Sequence, residues 1–308
     1  MINVFEPEIT FKDRIEVYKA LKNKNISGTS KEVRLFETSL ASYFERKHAV
    51  AVSNGSVALD LALKLLNLKK DDEVILPSFT IISCLAAVIR GGGKPVFCDI
   101  DPNSWNMNLD NVKKAFTKKT KAVLMVHTYG LSAEAEEIEK FCLENSIYLI
   151  EDASEAHGQS YNGRKCGSFG DISTLSFYAN KNMTSGEGGA LLLNSLENSE
   201  KLKKMRNLDF SNTNRFKHKH LYWNYRLSGL QATLGRSQLN NLELNIKNKI
   251  NQARVYDKLF LNYKDLVQVP RDNFLDVTNH YWVYGIILQK NDIRDKIIDK
   301  LYEKGIET

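Results

Sequence analysis

Proline occurs only 5 times and cysteine 4 times in the 308 residues of this chain. So little proline, beside 17 glycines, excludes collagen-like and Pro/Gly low-complexity architectures. Cys84, Cys98, Cys142 and Cys166 stand far apart with no C-x-x-C pair, so neither a zinc cluster nor a disulfide framework is indicated and no metal ligands are assigned. No apolar run approaches the roughly 20 residues of a membrane helix. The first eight positions also lack the basic-then-apolar order of a secretory signal. The expectation is a soluble, cytoplasmic protein with reduced thiols and no membrane partner.

Hydrophobic residues at 43% and charged residues at 26% are the proportions of a packed globular chain, and the length suits one large unit with a smaller companion. The 43 Lys+Arg outweigh 37 Asp+Glu to give a net charge of +6. The basic residues are dispersed, however. The one short cluster, residues 215–220, suits a loop meeting an anionic small molecule as well as it suits nucleic acid, and no nucleic-acid partner is expected.

Between residues 47 and 194 short apolar runs alternate with amphipathic stretches, the pattern of an α/β fold. Strands are predicted at 48–52, 73–76, 95–99, 121–126, 147–150, 172–177 and 189–193, with a helix at 57–68. The runs lack clean polar alternation, which places them in a sheet covered on both faces. Such a sheet binds ligands beyond the C-terminal ends of its strands, so the loops after Val52, Leu76, Ile150 and Phe177 are where chemistry is expected. From 240 to 263 the chain becomes polar and helix-prone, followed by Val267-Gln268-Val269-Pro270 and a strand-like 280–288. A large domain at 1–239 and a smaller, apparently truncated C-terminal α+β domain at 240–308 follow.

Three of those loops hold reactive chemistry. Ser53-Asn54-Gly55-Ser56 joins a strand to a helix, where free backbone N–H groups and the helix dipole bind phosphate. Taken alone it reads equally as an ordinary N-cap. Glu151-Asp152-Ala153-Ser154-Glu155 places carboxylates at the end of a buried strand, either facing a cationic ring nitrogen or capping the next helix. Lys181, between a buried strand and the turn Ser185-Gly186-Glu187-Gly188-Gly189, is either a surface lysine or one desolvated enough to condense with an aldehyde. Phosphate cradle, acid and lysine together form the set of contacts that pyridoxal phosphate requires.

These segments, with Ile26-Ser27-Gly28, Phe36-Glu37, Gly93-Lys94-Pro95-Val96-Phe97, Val126-His127-Thr128-Tyr129-Gly130 and Asn224-Tyr225-Arg226, resemble the DegT/DnrJ/EryC1/StrS family of pyridoxal-phosphate sugar aminotransferases. The resemblance implies a type I aminotransferase fold, with a mostly parallel mixed sheet between helices. It implies that Lys181 is the Schiff-base lysine and Asp152 the partner of the pyridine nitrogen. By the same pattern Gly55, Ser56 and Ser176 hold the phosphate, and Asn224 reaches the phosphate of a neighbouring subunit, making a homodimer with shared sites. Ile81 stands where the family usually has an aromatic residue stacked on the cofactor. Glu155 replaces a frequent glutamine and is similar to GDP-perosamine synthases. The family pattern normally continues past Thr308.

The implied reaction moves an amino group from an amino acid, by family habit L-glutamate, to a nucleotide-linked keto-sugar. The turn after Lys181 resembles members that aminate C4 of a 4-keto-6-deoxyhexose in making aminosugars for glycans such as the O-antigen of lipopolysaccharide. Two rivals remain: a sugar dehydratase, which would carry histidine in place of Lys181, and a cofactor-binding but inactive regulator or scaffold.

Overall fold

The computed structural model describes residues 1–210, 217–275, 277–290 and 292–308; Arg215 and Phe216 of the basic cluster lie outside them. Helices α1 (Phe11–Lys22) and α2 (Lys31–Tyr43) precede the first strand. The α/β region then runs β1 (His48–Val52), α3 (Gly55–Leu65), β2 (Glu73–Pro77), α4 (Ile82–Gly91), β3 (Lys94–Cys98), α5 (Leu109–Ala115), β4 (Thr120–Val126), α6 (Ala135–Glu144) and β5 (Tyr148–Asp152). A small hairpin of β6 (Ser160–Tyr161) and β7 (Arg164–Lys165) leads to β8 (Ile172–Ser176), β9 (Gly189–Leu193) and α7 (Leu196–Arg206). After these come α8 (Gly229–Leu239) and the long α9 (Leu242–Phe260).

Seven strands make one sheet in the order β1-β9-β8-β5-β4-β2-β3. Neighbours from β8 to β3 pair parallel, and β9 pairs antiparallel with both β8 and β1. Only β9 therefore opposes the rest of this mixed sheet, and β1, β2, β4, β5 and β8 all end at the same edge.

The expected burial of both faces follows from side-chain alternation along each strand. Val50 and Val52 pack with α3, α4 and α7 in one cluster, while Ala49 and Ala51 turn to the opposite face against Phe36 and Leu40 of α2 and Ala232 of α8. Further along that second face, Ile75, Val123 and Met125 meet Val112 of α5 and Ile138 of α6. All four cysteines are buried free thiols.

The C-terminal region carries two small strand pairs, β10 (Val267–Gln268) with β13 (Ile287–Leu288) and β11 (Asn273–Phe274) with β12 (Val277–Thr278), then α10 (Arg294–Glu303). Here the sequence misleads. The strand expected over residues 280–288 forms only at Ile287–Leu288, because Tyr281 takes a left-handed φ of 50°, which breaks an extended run. The N-terminal arm returns to this region, where Ile2 pairs with Ile306. Among the described residues no helix is long and apolar enough to cross a membrane.

Candidate active site

At the shared edge of the sheet, Asn54 caps α3 by accepting from the Val57 N–H at 2.9 Å. The ordinary N-cap role thus exists, and it leaves Gly55 and Ser56 free for another. Gly55 backs directly onto the end of β8: a Cβ there would lie 2.7 Å from Ser176 Cβ and 3.1 Å from its Oγ. Ser56 Oγ is 2.7 Å from Ser83 Oγ in the first turn of α4. Ile81 is the N-cap of α4 and caps it with no side-chain hydrogen bond, so the hydroxyls of Ser56, Ser83 and Ser176 gather where two helix N-termini converge. That is a polar, positively polarised cup suited to a phosphate. Ile81 itself is 55% exposed.

Asp152 ends β5 with 3% of its surface exposed. Its Oδ1 accepts from the Ser154 N–H at 3.1 Å and the Thr174 hydroxyl at 3.2 Å. Its Oδ2 meets the Cys84 thiol at 3.5 Å, and the Thr80 hydroxyl donates in turn to that sulfur at 3.3 Å.

The adjacent Glu151 points to the other face, as strand alternation requires. It accepts from His127 Nε2 at 2.9 Å, the Gly167 N–H at 2.6 Å, the Phe169 N–H at 2.9 Å and the Ser173 hydroxyl at 2.6 Å. Burial works to raise its pKa, yet these donors, His127 foremost, hold it below the usual range. His127, Glu151 and Cys166 bring three ligand-type atoms within 4.8 Å of one another. Glu151 is already saturated by donors, and His127 Nδ1 accepts from the Ala133 N–H at 3.1 Å. The cluster is a hydrogen-bonded brace beneath the sheet.

Lys181 lies in the turn after β8, its side chain 10% exposed and its Nζ 3.9 Å from Glu155 Oε1. The same Nζ sits 3.6 Å from the centroid of the Trp282 ring. Burial pulls the lysine pKa down, opposed by the negative charges of Glu155 and Asp152. Glu155 is pushed up by its own burial, opposed by Lys181 and by the Tyr129 N–H, which donates to Oε2 at 2.9 Å. Trp282 is fixed on two sides. Its indole N–H donates to the Asn180 carbonyl at 2.8 Å, and Phe5 of the N-terminal arm stacks on it at 5.8 Å.

Gly55, Ser56, Ser176, Asp152, Glu155 and Lys181, distant in sequence, thus converge at one edge of the sheet. Asn224 is exposed, and its backbone bridges to Asn207 on a segment that runs against the end of β1 through Val52 and Arg226; among the described residues its side chain makes no hydrogen bond to the others. Along that segment His220, Tyr222, Trp223 and Tyr225 form a ladder of stacked rings 4.8 to 5.9 Å apart. Sequence reasoning did not single out Ser83, Cys84, Thr174 or Trp282. Ser83 and Cys84 follow Ile81 in α4 and Thr174 lies in the strand expected at 172–177, whereas Trp282 carries no motif and reaches Lys181 only through the fold.

The residues present fit pyridoxal phosphate. The hydroxyl cup has no room for a Cβ at Gly55, Asp152 Oδ2 retains lone-pair capacity beside a weak thiol donor, and a desolvated amine lies across from them.

Comparison with known proteins agrees. A GDP-perosamine synthase from Vibrio cholerae is 36% identical over 311 residues, covering 100% of this chain and 84% of that protein. A dTDP-4-dehydro-2,3,6-trideoxy-D-glucose 4-aminotransferase from Saccharopolyspora spinosa is 31% identical over 322 residues, covering 100% of this chain and 83% of that protein. The crystal structure of the aminotransferase TlmJ from Streptoalloteichus hindustanus superposes with a TM-score of 0.91 at 28% identity, over 100% of this chain and 84% of that one. The model of the DegT/DnrJ/EryC1/StrS aminotransferase family matches residues 7–308, and with cup, acid and lysine gathered at one sheet edge, this chain belongs to that family of pyridoxal phosphate-dependent aminotransferases.

Proposed function

We propose that this enzyme transfers an amino group from L-glutamate to C4 of a nucleotide-linked 4-keto-6-deoxyhexose, with GDP as the first-choice nucleotide. The observation that carries the reading is the placement of Lys181 Nζ in a largely buried site beside Glu155, at the sheet edge shared with Asp152 and the hydroxyl cup. Similarity to a GDP-perosamine synthase and to a dTDP-sugar 4-aminotransferase supports the substrate class.

Bound pyridoxal phosphate supplies an electron sink that stabilises negative charge developing on the carbon attached to nitrogen. The chain's own residues do the rest. Ser56, Ser176 and the α3 N-terminus hold the phosphate. Asp152 Oδ2 would accept from the protonated ring nitrogen and keep that nitrogen charged. Lys181 Nζ, its proton affinity lowered by burial, takes a proton from the donor's carbon and returns it to the product side. Glu155 and the Trp282 ring hold the amine in place between these transfers. Ile81 would cover the cofactor by apolar contact at the position where the family pattern has an aromatic residue. Asn224, exposed on the aromatic segment, reaches the phosphate bound by a second copy, so that the active species is a cytoplasmic homodimer with shared sites making an aminosugar for a glycan such as O-antigen. The presence of Lys181 speaks against the dehydratase rival.

The test is to supply the cofactor-loaded protein with L-glutamate and either GDP- or dTDP-linked 4-keto-6-deoxyhexose, then follow the sugar by mass spectrometry and NMR. The reading expects a 4-amino sugar and an equal amount of 2-oxoglutarate. Amination at C3, dehydration, or no reaction with either nucleotide would contradict it.

A further inference from the structure

The two oxygens of Asp152 are not equivalent. Oδ1 is held by a backbone N–H and a hydroxyl, from Ser154 and Thr174. Oδ2 meets one donor, the thiol of Cys84. That thiol is fully buried in the first turn of α4, and the direction of its hydrogen bond is set: Thr80 donates into the sulfur, leaving the S–H to donate onward to Oδ2. Burial, reinforced by the charge of Asp152, pushes the Cys84 thiol well up, so it remains a protonated donor. A thiol is a weak donor. It can fix where Oδ2 points while withdrawing less charge from it than a hydroxyl or an amide would.

We infer that Cys84 is a positioning residue: with Thr80 behind it, it orients Asp152 so that Oδ1 is committed to the protein and Oδ2 is left basic and aimed at the cofactor's ring nitrogen. The inference rests on the role proposed above for Asp152. In the competing account Cys84 is a small apolar filler of the cluster it shares with Ala87 and Val88.

The experiment reads the thiol directly. The S–H stretch absorbs in a window of the infrared spectrum that other protein groups leave clear, and a Cys84→Ser difference spectrum assigns the Cys84 band among the four thiols. In the cofactor-free protein the band is expected at a frequency lowered by the carboxylate and moved upward by Asp152→Asn. Loading wild type with pyridoxal phosphate should move it again, as Oδ2 shares its charge with the ring N–H. In the single-turnover half-reaction with L-glutamate, Cys84→Ala should lower the limiting rate about tenfold with the half-saturating L-glutamate concentration within about twofold, and Cys84→Ser should restore most of the rate. A band indifferent to both Asp152→Asn and loading, in a protein that does take up the cofactor with its visible absorption, overturns this inference alone. A wild-type rate in a folded Cys84→Ala protein does the same. Absence of the visible absorption altogether overturns the proposed function, and the role of Cys84 with it. If Cys84→Ala fails to fold, the wild-type and Asp152→Asn spectra still decide the matter.

Discussion

The ammonium of Lys181 lies 3.6 Å from the centre of the Trp282 ring. Two effects of opposite sign meet there: burial favours the neutral amine, while the ring face and the Glu155 and Asp152 carboxylates favour the charged one. Trp282 reaches this position because Phe5 stacks on it and the Asn180 carbonyl holds its N–H. The amine is therefore positioned by the C-terminal region and the N-terminal arm as well as by its own loop.

Replacing the ring should show its part. Trp282→Leu keeps the site apolar but removes a contact of about 0.5–2 kcal/mol with the ammonium. The pH at which Lys181 becomes reactive toward pyridoxal phosphate, read from the rate of cofactor uptake, is expected to fall by about half a unit to one and a half units. An unchanged or raised midpoint would show that the ring does not hold the charge.

The hydroxyl cup depends on the absence of a side chain at Gly55. In Gly55→Ala the new Cβ meets Ser176 Cβ at 2.7 Å, so Ser176 must shift. Overpacking of this kind costs about 1–3 kcal/mol. The expected result is a cofactor dissociation constant raised about tenfold or more by equilibrium dialysis, with the fold retained. Unchanged affinity would remove Gly55 and Ser176 from the phosphate site.

Much of this arrangement was legible in the sequence, and the limits have physical causes. Strands at 48–52 and 189–193 follow from apolar runs bounded by turn residues. The reversal of β9 depends on pairing partners, which a run of Gly-Ala-Leu-Leu-Leu cannot specify. Glu151 and Asp152 read as one acidic pair; the pleat separates them, one bracing His127 and the other facing the site. Tyr281 and Trp282 read as strand residues because β-propensity favours aromatics, whereas Tyr281 takes a left-handed turn in which its N–H donates to the Asn279 side chain and the backbone runs close against Gly130. Asn224 gained its role from resemblance alone, and a partner's phosphate is not something one chain displays.

His157 gives a pH-dependent prediction. It is buried beside Phe177, and among the described residues neither ring nitrogen has a hydrogen-bond partner. Burial, aided by the charge of Lys181, pulls its pKa from 6.5 to about 3. Because the folded value lies below the unfolded one, this contribution to stability is complete above pH 6.5 and is lost as pH falls toward 3. In urea unfolding, His157→Phe should therefore gain on wild type with acidification, by about 1.4 kcal/mol per pH unit across that window. A constant difference between the two proteins would show that His157 is charged or solvated in the fold.

The shared-site dimer is tested by mixing. Lys181→Ala and Asn224→Ala chains are each expected to be inactive, and random pairing puts about half the dimers in the mixed form with one intact site. Activity should return to roughly a quarter of wild type once subunits exchange. No recovery despite demonstrated exchange would confine Asn224 to its own chain.

In the proposed reaction Lys181 performs the proton transfers while the cup and Asp152 hold the cofactor. The measurement that addresses it most directly is the visible absorption of the pyridoxal phosphate-loaded protein, wild type and Lys181→Ala, before and after L-glutamate. Wild type is expected to show the band of lysine-bound cofactor, bleached by L-glutamate and restored by 2-oxoglutarate; Lys181→Ala should still bind the cofactor but lose turnover. A Lys181→Ala protein that transaminates at the wild-type rate, or a wild type that acquires no such band, would contradict the account.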